Sequence, residues 1–231
     1  MILFEIFGNE NHALYQFLAV QNGSRQYDFL RSIVTVAVAA DKAFLSQQVI
    51  KALNYQAITC LHTNAGEFRP CVVEIKSGDV VEFRTPAPHQ VQALMDDLVN
   101  YVNRIWETAD PVVLAAFVLW RLNVIHPFIN GNGRTARATA YFVLCVKFGG
   151  LLPGTKTLPE LISRERPRYV DALRQADQSA KSGQLDLSAL HALLVELLEE
   201  QLRSATAQGT GEPSQESESG PLLLPPPTEF S

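Results

Sequence analysis

The stretch HPFINGNGRTAR, from His126 to Arg137, separates two of the most apolar runs in the chain. The run before it is VVLAAFVLW at 112–120, and the run after it is ATAYFVLCV at 138–146. Both have the length and the nearly continuous apolar character of helices that are buried on all sides. The polar stretch is therefore predicted to be a loop between two core helices, and we call residues 126–137 the motif.

The ends of the two helices can also be placed from the sequence. Asp110 followed by Pro111 is typical of a helix start, since aspartate caps free N–H groups and proline fits the first helical position. The first helix should end near Ile125, because a proline two residues later disfavours the α conformation before it. The second helix is predicted to begin near Gly133.

The motif has the composition of a phosphate-binding turn at a helix N-terminus. Gly131, Asn132 and Gly133 allow backbone conformations in which successive N–H groups converge on an anion. Arg134 and Arg137 share one face of the following helix, in a first turn where a cation opposes the helix dipole unless an anion lies beside it. We therefore predict that these five residues bind phosphate groups. The Asn132 side chain could bind phosphate or the loop backbone, and the sequence leaves both open.

Two further side chains of the motif have predicted roles. His126 lies beside the predicted phosphate site, and an unperturbed histidine titrates near pH 6.5, which suits a general base. Phe128 is a large apolar ring between polar neighbours, so we predict that it anchors the loop in the core.

Most of the remaining chain shows the apolar spacing of amphipathic helices, while one segment alternates like a β-hairpin. The hairpin is RPCVVEIKSGDVVEFRTP at 69–86, with SGD as its turn. A single hairpin is marginally stable, so it should lean on the helices and leave a strand edge unpaired. The fold class is predicted to be all-α, a helical bundle with one β-hairpin. A first helix is predicted to start within 11–17. Further helices are predicted at 25–44, 45–63, 89–107, 165–178 and 185–202.

Composition limits the class of protein. The chain has 231 residues, 47% of them hydrophobic, and a net charge of −5, which disfavours a nucleic-acid-binding surface. The three cysteines have no metal-site spacing and are predicted to be reduced structural thiols. We expect no signal peptide, no membrane span and a cytoplasmic location. From 204 to 231 the chain is rich in Ser, Gly, Glu and Pro, so this segment is predicted to be a disordered tail.

The motif resembles the signature of the Fic (Fido) family, HxFx(D/E)GNGRxxR, and matches it at every specified position except 130. TNAGEFRP at 63–70, the hairpin and the two apolar helices are also similar to bacterial Fic proteins. The resemblance implies a Fic-type helical bundle with a flap at 67–85. It places an N-terminal helical segment at 1–44 and the core at 45–203.

The resemblance implies a protein adenylyltransferase, which moves AMP from ATP to a Ser, Thr or Tyr hydroxyl of a target protein. His126 would act as the base, and the phosphate-binding residues would hold the triphosphate. The flap would align the target as an added strand along Val72, Val73, Glu74 and Ile75. A lysine in place of Gly133 would instead resemble the phosphate-transferring branch of the family.

Asn130 is the one departure from the signature, whose acidic residue holds Mg²⁺ in the family. An asparagine oxygen can still bind Mg²⁺, but without the charge that strengthens binding, so we expect weaker metal affinity. Three alternatives stay open: a slow AMP transferase, a nucleotide-binding protein with impaired catalysis that acts through a partner, and transfer from another phosphate-containing donor.

Self-inhibition through the family's (S/T)xxxE(G/N) motif is not predicted. Thr63 to Glu67 has the spacing but is followed by Phe68, and Ser214 to Glu218 is followed by another serine. An antitoxin-like inhibitor is compatible with the sequence, which carries no signal for oligomeric state.

Overall fold

The structure is a computed structural model that describes residues 2–41, 44–77 and 80–209, without the side chains of 75–77, 80–83 and 206–209. Nine α-helices and two β-strands occur in these ranges, so the predicted all-α class is confirmed. The helices are α1 Leu3–Phe7, α2 Ala13–Ala39, α3 Gln47–Ile58, α4 Pro88–Arg104, α5 Pro111–Ile125, α6 Asn132–Lys147, α7 Leu158–Arg164, α8 Arg166–Lys181 and α9 Ser188–Gly209. The strands are β1 Glu74–Ser77 and β2 Val80–Arg84.

Helices α5 and α6 form the centre of the bundle, as their apolar sequences predict. They pack along each other, with α3 and α2 against α6 on one side, α4 against α5, and α7 and α9 on the other side. The Asp110 side chain caps α5 by accepting hydrogen bonds from Val112 N and Val113 N, and Pro111 occupies the first helical position. The motif therefore lies at one end of the central pair, between the last turn of α5 and the first turn of α6.

Helix α2 differs from the sequence prediction, which divides this region into two helices. It runs unbroken for 27 residues through Gly23. Two of its amides are buried and donate to the backbone of the α3 region, Asn22 Nδ2 to Thr59 O at 2.9 Å and Gln26 Nε2 to Leu53 O at 2.9 Å. These contacts fix α2 to α3 on either side of the glycine.

The C-terminal boundary of the bundle also differs. Helix α9 continues to Gly209, so residues 204–209 are helical rather than part of the predicted tail at 204–231. Ser204 Oγ donates to Gln201 O and accepts from Thr155 N, which ties this turn to the loop before α7. Residues 210–231 of the predicted tail lie outside the described residues.

The hairpin is confirmed, with β1 and β2 antiparallel and a register shift between Ile75 and Lys76. The first strand begins at Glu74, one residue after Val73, where the alternation of apolar and polar residues starts. Thr85 Oγ1 closes the base of the hairpin by donating to Val73 O at 2.6 Å. No helix in the described ranges is long and apolar enough to cross a membrane.

Candidate active site

The motif loop is closed by the side chain of Asn132. Its Oδ1 accepts from Phe128 N at 2.9 Å, and its Nδ2 donates to Phe128 O at 2.8 Å. Phe128 is fully buried and packs against Phe68, with 5.7 Å between the ring centroids. The Asn132 side chain is thus engaged by the loop backbone through both of its polar atoms.

The loop approaches α3 so closely that residue 131 has no room for a side chain. Gly131 has φ +76°, and a Cβ there would lie 2.5 Å from Ile58 Cγ2. Asn54, fully buried on α3, donates to Asn130 O at 2.9 Å and to Thr135 Oγ1 at 3.2 Å. Helix α3 therefore positions the turn from which α6 starts.

His126 caps the end of α5 in a left-handed conformation. Its φ is +50°, and its N–H donates to Leu122 O at 2.9 Å. Within the described part of the chain, the Nδ1 atom is buried and makes no hydrogen bond of normal geometry. Burial lowers the pKa of His126 to about 4, assisted by the positive charge of Arg69 and opposed by the carbonyl of Asn123. The imidazole is neutral at pH 7 and can accept a proton.

Arg69 is a positioning residue that the sequence analysis missed. It is 2% exposed, and its guanidinium donates to three backbone carbonyls: Nε to His126 O at 2.7 Å, Nη1 to Cys71 O at 2.9 Å and Nη2 to Pro86 O at 2.6 Å. Its own N–H donates to Pro127 O at 2.9 Å. Arg69 thereby joins both ends of the flap to the peptide of the candidate base.

The two motif arginines line a common cavity of about 660 Å³. Its other walls come from α2, the loop at 154–157 and α7. The volume is in the range of small-molecule sites. Burial lowers the pKa of both arginines, and the charges of Arg134 and Arg166 lower that of Arg137 further. The guanidinium groups of Arg134 and Arg137 thus share one partly enclosed space, which favours an anionic ligand beside them.

The two arginines differ in their contacts. Arg134 Nη1 donates to Ala57 O at 2.9 Å, and Nη2 lies 3.4 Å from Asn130 Oδ1. Arg137 has no hydrogen bond or ion pair with any described residue, although Tyr169 and Arg166 act on its pKa. A Cβ on Gly133 would come within 3.3 Å of the Arg137 guanidinium. The predicted phosphate-binding residues therefore come together, with Arg137 as the arginine left free to bind an anion.

Asn130 lies between Arg134 and a glutamate from the N-terminal segment. Its Nδ2 donates to Glu10 Oε1 at 3.0 Å. The same carboxylate oxygen is 3.3 Å from His62 Nε2, which is 2.7 Å from the Tyr15 hydroxyl. Burial and the Glu10 charge raise the pKa of Tyr15 to about 12, and burial lowers the pKa of His62. Glu10 has no local sequence signal for this contact, because it is 120 positions from Asn130.

The described residues contain no cluster of three or more His, Cys, Asp or Glu side chains that could hold a metal ion unaided. Asn130 Oδ1 and the Glu10 carboxylate are hard oxygen donors of the kind that Mg²⁺ prefers. Mg²⁺ usually takes one or two protein ligands with substrate phosphates and water. The two residues therefore fit a cation that arrives with a phosphate ligand.

The flap residues predicted to dock a target lie at the start of β1. Val72 is 62% exposed, Val73 is partly buried and Glu74 is exposed, while the Ile75 side chain lies outside the described residues. Within the described ranges the sheet has two strands, so each strand leaves one edge unpaired. An extended peptide could add to such an edge.

A second hollow, of about 760 Å³, lies between the end of α4, α5 and the α8–α9 loop. It is lined largely by apolar and uncharged side chains, with Tyr101, Asp186 and His191 as its ionisable groups. It has neither convergent arginines nor contact with the motif, so we place the candidate active site at the motif despite the larger volume.

Among known protein families, residues 44–144 match the model of the Fic/DOC family. Residues 44–144 are therefore similar to a Fic domain. A probable protein adenylyltransferase of Aquifex aeolicus is 33% identical over 99 residues, which are 43% of this chain and 28% of that protein. This chain spans less than two thirds of the length of the curated relatives it matches.

Solved structures support the same fold. A Fic domain-containing signaling protein from Bacteroides thetaiotaomicron superposes with a TM-score of 0.64 at 22% identity, over 89% of this chain and 79% of that one. BepC from Bartonella tribocorum, a structure with bound AMPPNP, gives a TM-score of 0.50 at 14% identity, over 75% of this chain and 86% of that one. The Fic-type bundle and flap predicted from the motif are therefore confirmed as fold.

Proposed function

We propose that this protein transfers AMP from ATP to a hydroxyl side chain of a target protein. The observation that carries the proposal is the placement of a buried, neutral His126 at the end of α5, across the motif loop from Arg134 and Arg137 of α6, which line one cavity. The name of the Aquifex relative and the AMPPNP in BepC are consistent with this chemistry.

Each step of the proposed reaction has a candidate group in the site. His126 accepts the proton of a Ser, Thr or Tyr hydroxyl, whose oxygen attacks the α-phosphorus of ATP. The bond between the α-phosphorus and its bridging oxygen breaks, and pyrophosphate leaves. The N–H groups at 131–133 and the guanidinium groups of Arg134 and Arg137 stabilise the charge on the phosphates as it develops. A bound Mg²⁺ would supply further charge neutralisation at Asn130.

Asn130 favours a second candidate function, a nucleotide-binding Fic protein with impaired catalysis. Incubation of the full chain with ATP, GTP, UTP or CTP, in Mg²⁺ or Mn²⁺, tests both, with intact-mass measurement of the protein and of candidate targets. An added AMP supports transfer and identifies the donor, and peptide mapping identifies the modified residue. Binding of a nucleotide with no added mass on any protein would favour the second candidate, and an added mass other than AMP a different donor.

Arg137→Ala should weaken triphosphate binding more than monophosphate binding. Arg137 is the arginine of the pair without a protein hydrogen bond in the described ranges, so its guanidinium is available to the outer phosphates. A charge-assisted hydrogen bond contributes about 1.5–3 kcal/mol, which is roughly 10- to 100-fold in affinity for ATP. Calorimetry with ATP and AMP measures the two losses, and equal losses would contradict the assigned role. Arg174→Ala, on the exposed face of α8, is the control for loss of a positive charge.

Val73→Pro should reduce labelling of a target while nucleotide affinity stays unchanged. A proline removes a backbone donor next to the edge on which a target strand would add. The Val73 carbonyl, which closes the base of the flap with Thr85, is kept. Val73→Ala is the matched control, since it shortens the side chain but leaves the N–H. Equal labelling by both variants and the unmodified protein would argue against strand addition.

A further inference from the structure

The N-terminal segment brings a carboxylate to the position where the motif has none. Asn130 stands where the family signature has an acidic residue, and the Glu10 carboxylate contacts the Asn130 amide at 3.0 Å. We propose that Glu10 supplies the anionic ligand, and Asn130 Oδ1 the neutral one, for the divalent cation that accompanies the triphosphate. This inference rests on the proposed function.

The segment that carries Glu10 is fixed against the end of α3. Leu3 N donates to Cys60 O at 2.9 Å and Phe4 N to Leu61 O at 3.0 Å. The Phe4 ring stacks on the His62 ring with 4.6 Å between centroids. The Glu10 carbonyl accepts from Gln16 Nε2 at 2.6 Å. Glu10 therefore reaches Asn130 from a segment anchored at both its start and its end.

The carboxylate keeps one oxygen available. Oε1 contacts Asn130 Nδ2 and His62 Nε2, whereas Oε2 has no hydrogen bond to any described residue. The side chain is 49% exposed, so a cation can reach it without displacing protein. Asn130 here turns Nδ2 to Glu10 and Oδ1 to Arg134, so the amide turns over when a cation binds. One exposed carboxylate oxygen and one amide oxygen then form the incomplete ligand set that Mg²⁺ completes with phosphates and water.

The net charge of the Glu10–Asn130 pair also fits a divalent cation site. Asn130 is neutral and Glu10 is negative, so the pair carries the same charge as one carboxylate at position 130. Arg134 contacts the Asn130 oxygen at 3.4 Å and is stabilised by the Glu10 charge. The contact also allows the opposite role, in which Glu10 competes with phosphate for Arg134. The two roles predict different dependence on metal.

Glu10→Gln separates them, because glutamine keeps an oxygen for the Asn130 hydrogen bond and removes only the charge. ATP is titrated into the full chain by calorimetry, once with Mg²⁺ and once with chelator. The gain in ATP affinity on adding Mg²⁺ is compared between the two proteins. The inference predicts that this gain is at least about tenfold smaller in Glu10→Gln than in wild type. With chelator the variant should bind ATP as well as wild type or better, since a negative charge near the phosphates is gone. Thermal melting with chelator checks that the variant folds like wild type.

The charge-swapped protein, Glu10→Gln with Asn130→Asp, is the matched test. It moves the carboxylate across a 3.0 Å contact and should regain the Mg²⁺-dependent affinity. Asn130→Asp alone places two carboxylates in contact, so it should bind ATP more weakly than wild type with chelator and more tightly with Mg²⁺. Paramagnetic relaxation by Mn²⁺ in the presence of ATP gives a second readout that does not depend on AMP transfer.

Two results would overturn the inference while leaving the proposed function intact. Tighter ATP binding by Glu10→Gln to the same extent with Mg²⁺ and with chelator would make Glu10 a competitor of phosphate. Unchanged binding under both conditions would make it an anchor of the N-terminal segment only. Failure of wild type to bind any of the four triphosphates under either condition would instead overturn the proposed function, and the inference with it.

Discussion

His126→Asn is expected to reduce AMP transfer by about 10²- to 10⁴-fold, the usual contribution of a general base, with little change in ATP affinity. Asparagine suits this position because His126 has φ +50°, a conformation that asparagine adopts more readily than most residues. The backbone cap on Leu122 O can therefore persist in the variant. Transfer assays on a labelled target, with ATP calorimetry alongside, measure the two quantities.

A control for loss of an imidazole comes from the same chain. His191 lies in the hollow between α5 and the α8–α9 loop, away from the motif, so His191→Asn should transfer AMP at the wild-type rate. A near-normal rate in His126→Asn would remove His126 from the role of base. A parallel loss of ATP binding would assign the effect to loop structure instead.

The pH dependence of the rate follows from the low pKa of His126. A base with a pKa of about 4 stays neutral as the pH falls from 7 to about 5, so the rate should stay level there and fall only towards pH 4. An unshifted histidine would halve the rate near pH 6.5. Rate profiles of the transfer step, measured at saturating ATP, distinguish the two.

The same shift has a stability consequence with a defined sign. Between pH 6.5 and about 4 the unfolded chain binds a proton on His126 that the folded chain does not, so folding stability should fall as the pH drops through this window. His126→Asn removes that contribution. The variant's unfolding free energy should consequently decline less steeply over the same range, as denaturant titrations at several pH values would measure.

Local signals explain why the sequence predicted the centre of the fold so well. The apolar runs of α5 and α6, the Asp110 cap and the alternation of the hairpin each lie within a few residues of the structure they specify. The position of the motif was predicted correctly for the same reason, because it lies between two helices whose ends are marked by nearby residues. The break predicted within α2 was wrong because Asn22 and Gln26 hold that helix through contacts with α3.

The residues that the sequence did not identify act over long separations. Glu10 contacts a residue 120 positions away, and Asn54 contacts the motif backbone 76 positions away. Asn54 left a faint signal, an amide on the otherwise apolar buried face of α3, which usually marks a buried hydrogen bond. Neither Arg69 nor Glu10 stands out in the sequence by its residue type. Arg69 donates to three backbone carbonyls rather than to a charged side chain, and backbone carbonyls leave no sequence signal.

Arg69→Met is expected to destabilise the fold by about 3 kcal/mol and to lower AMP transfer per folded molecule. Methionine retains an apolar stem of similar length but leaves the carbonyls of His126, Cys71 and Pro86 without the guanidinium. Hydrogen bonds from a charged group contribute about 1.5–3 kcal/mol each, while removing a buried charge recovers part of that loss. Denaturant unfolding gives the first quantity, and transfer rates corrected for folded fraction give the second.

Arg69→Lys distinguishes geometry from charge. Lysine keeps the positive charge, but its three N–H groups radiate from one atom and cannot span carbonyls that a planar guanidinium reaches from three nitrogens. If Arg69 acts through position, the lysine variant should lose transfer activity while ATP affinity at Arg134 and Arg137 is kept, because those arginines are held from α3 and α6. The loss should be larger in kcat than in the KM for ATP, since the His126 peptide and the flap are released together. A wild-type kcat in Arg69→Lys would mean that a positive charge alone suffices at this position. The three hydrogen bonds from Arg69 to backbone carbonyls would then be a consequence of the fold and would not position His126.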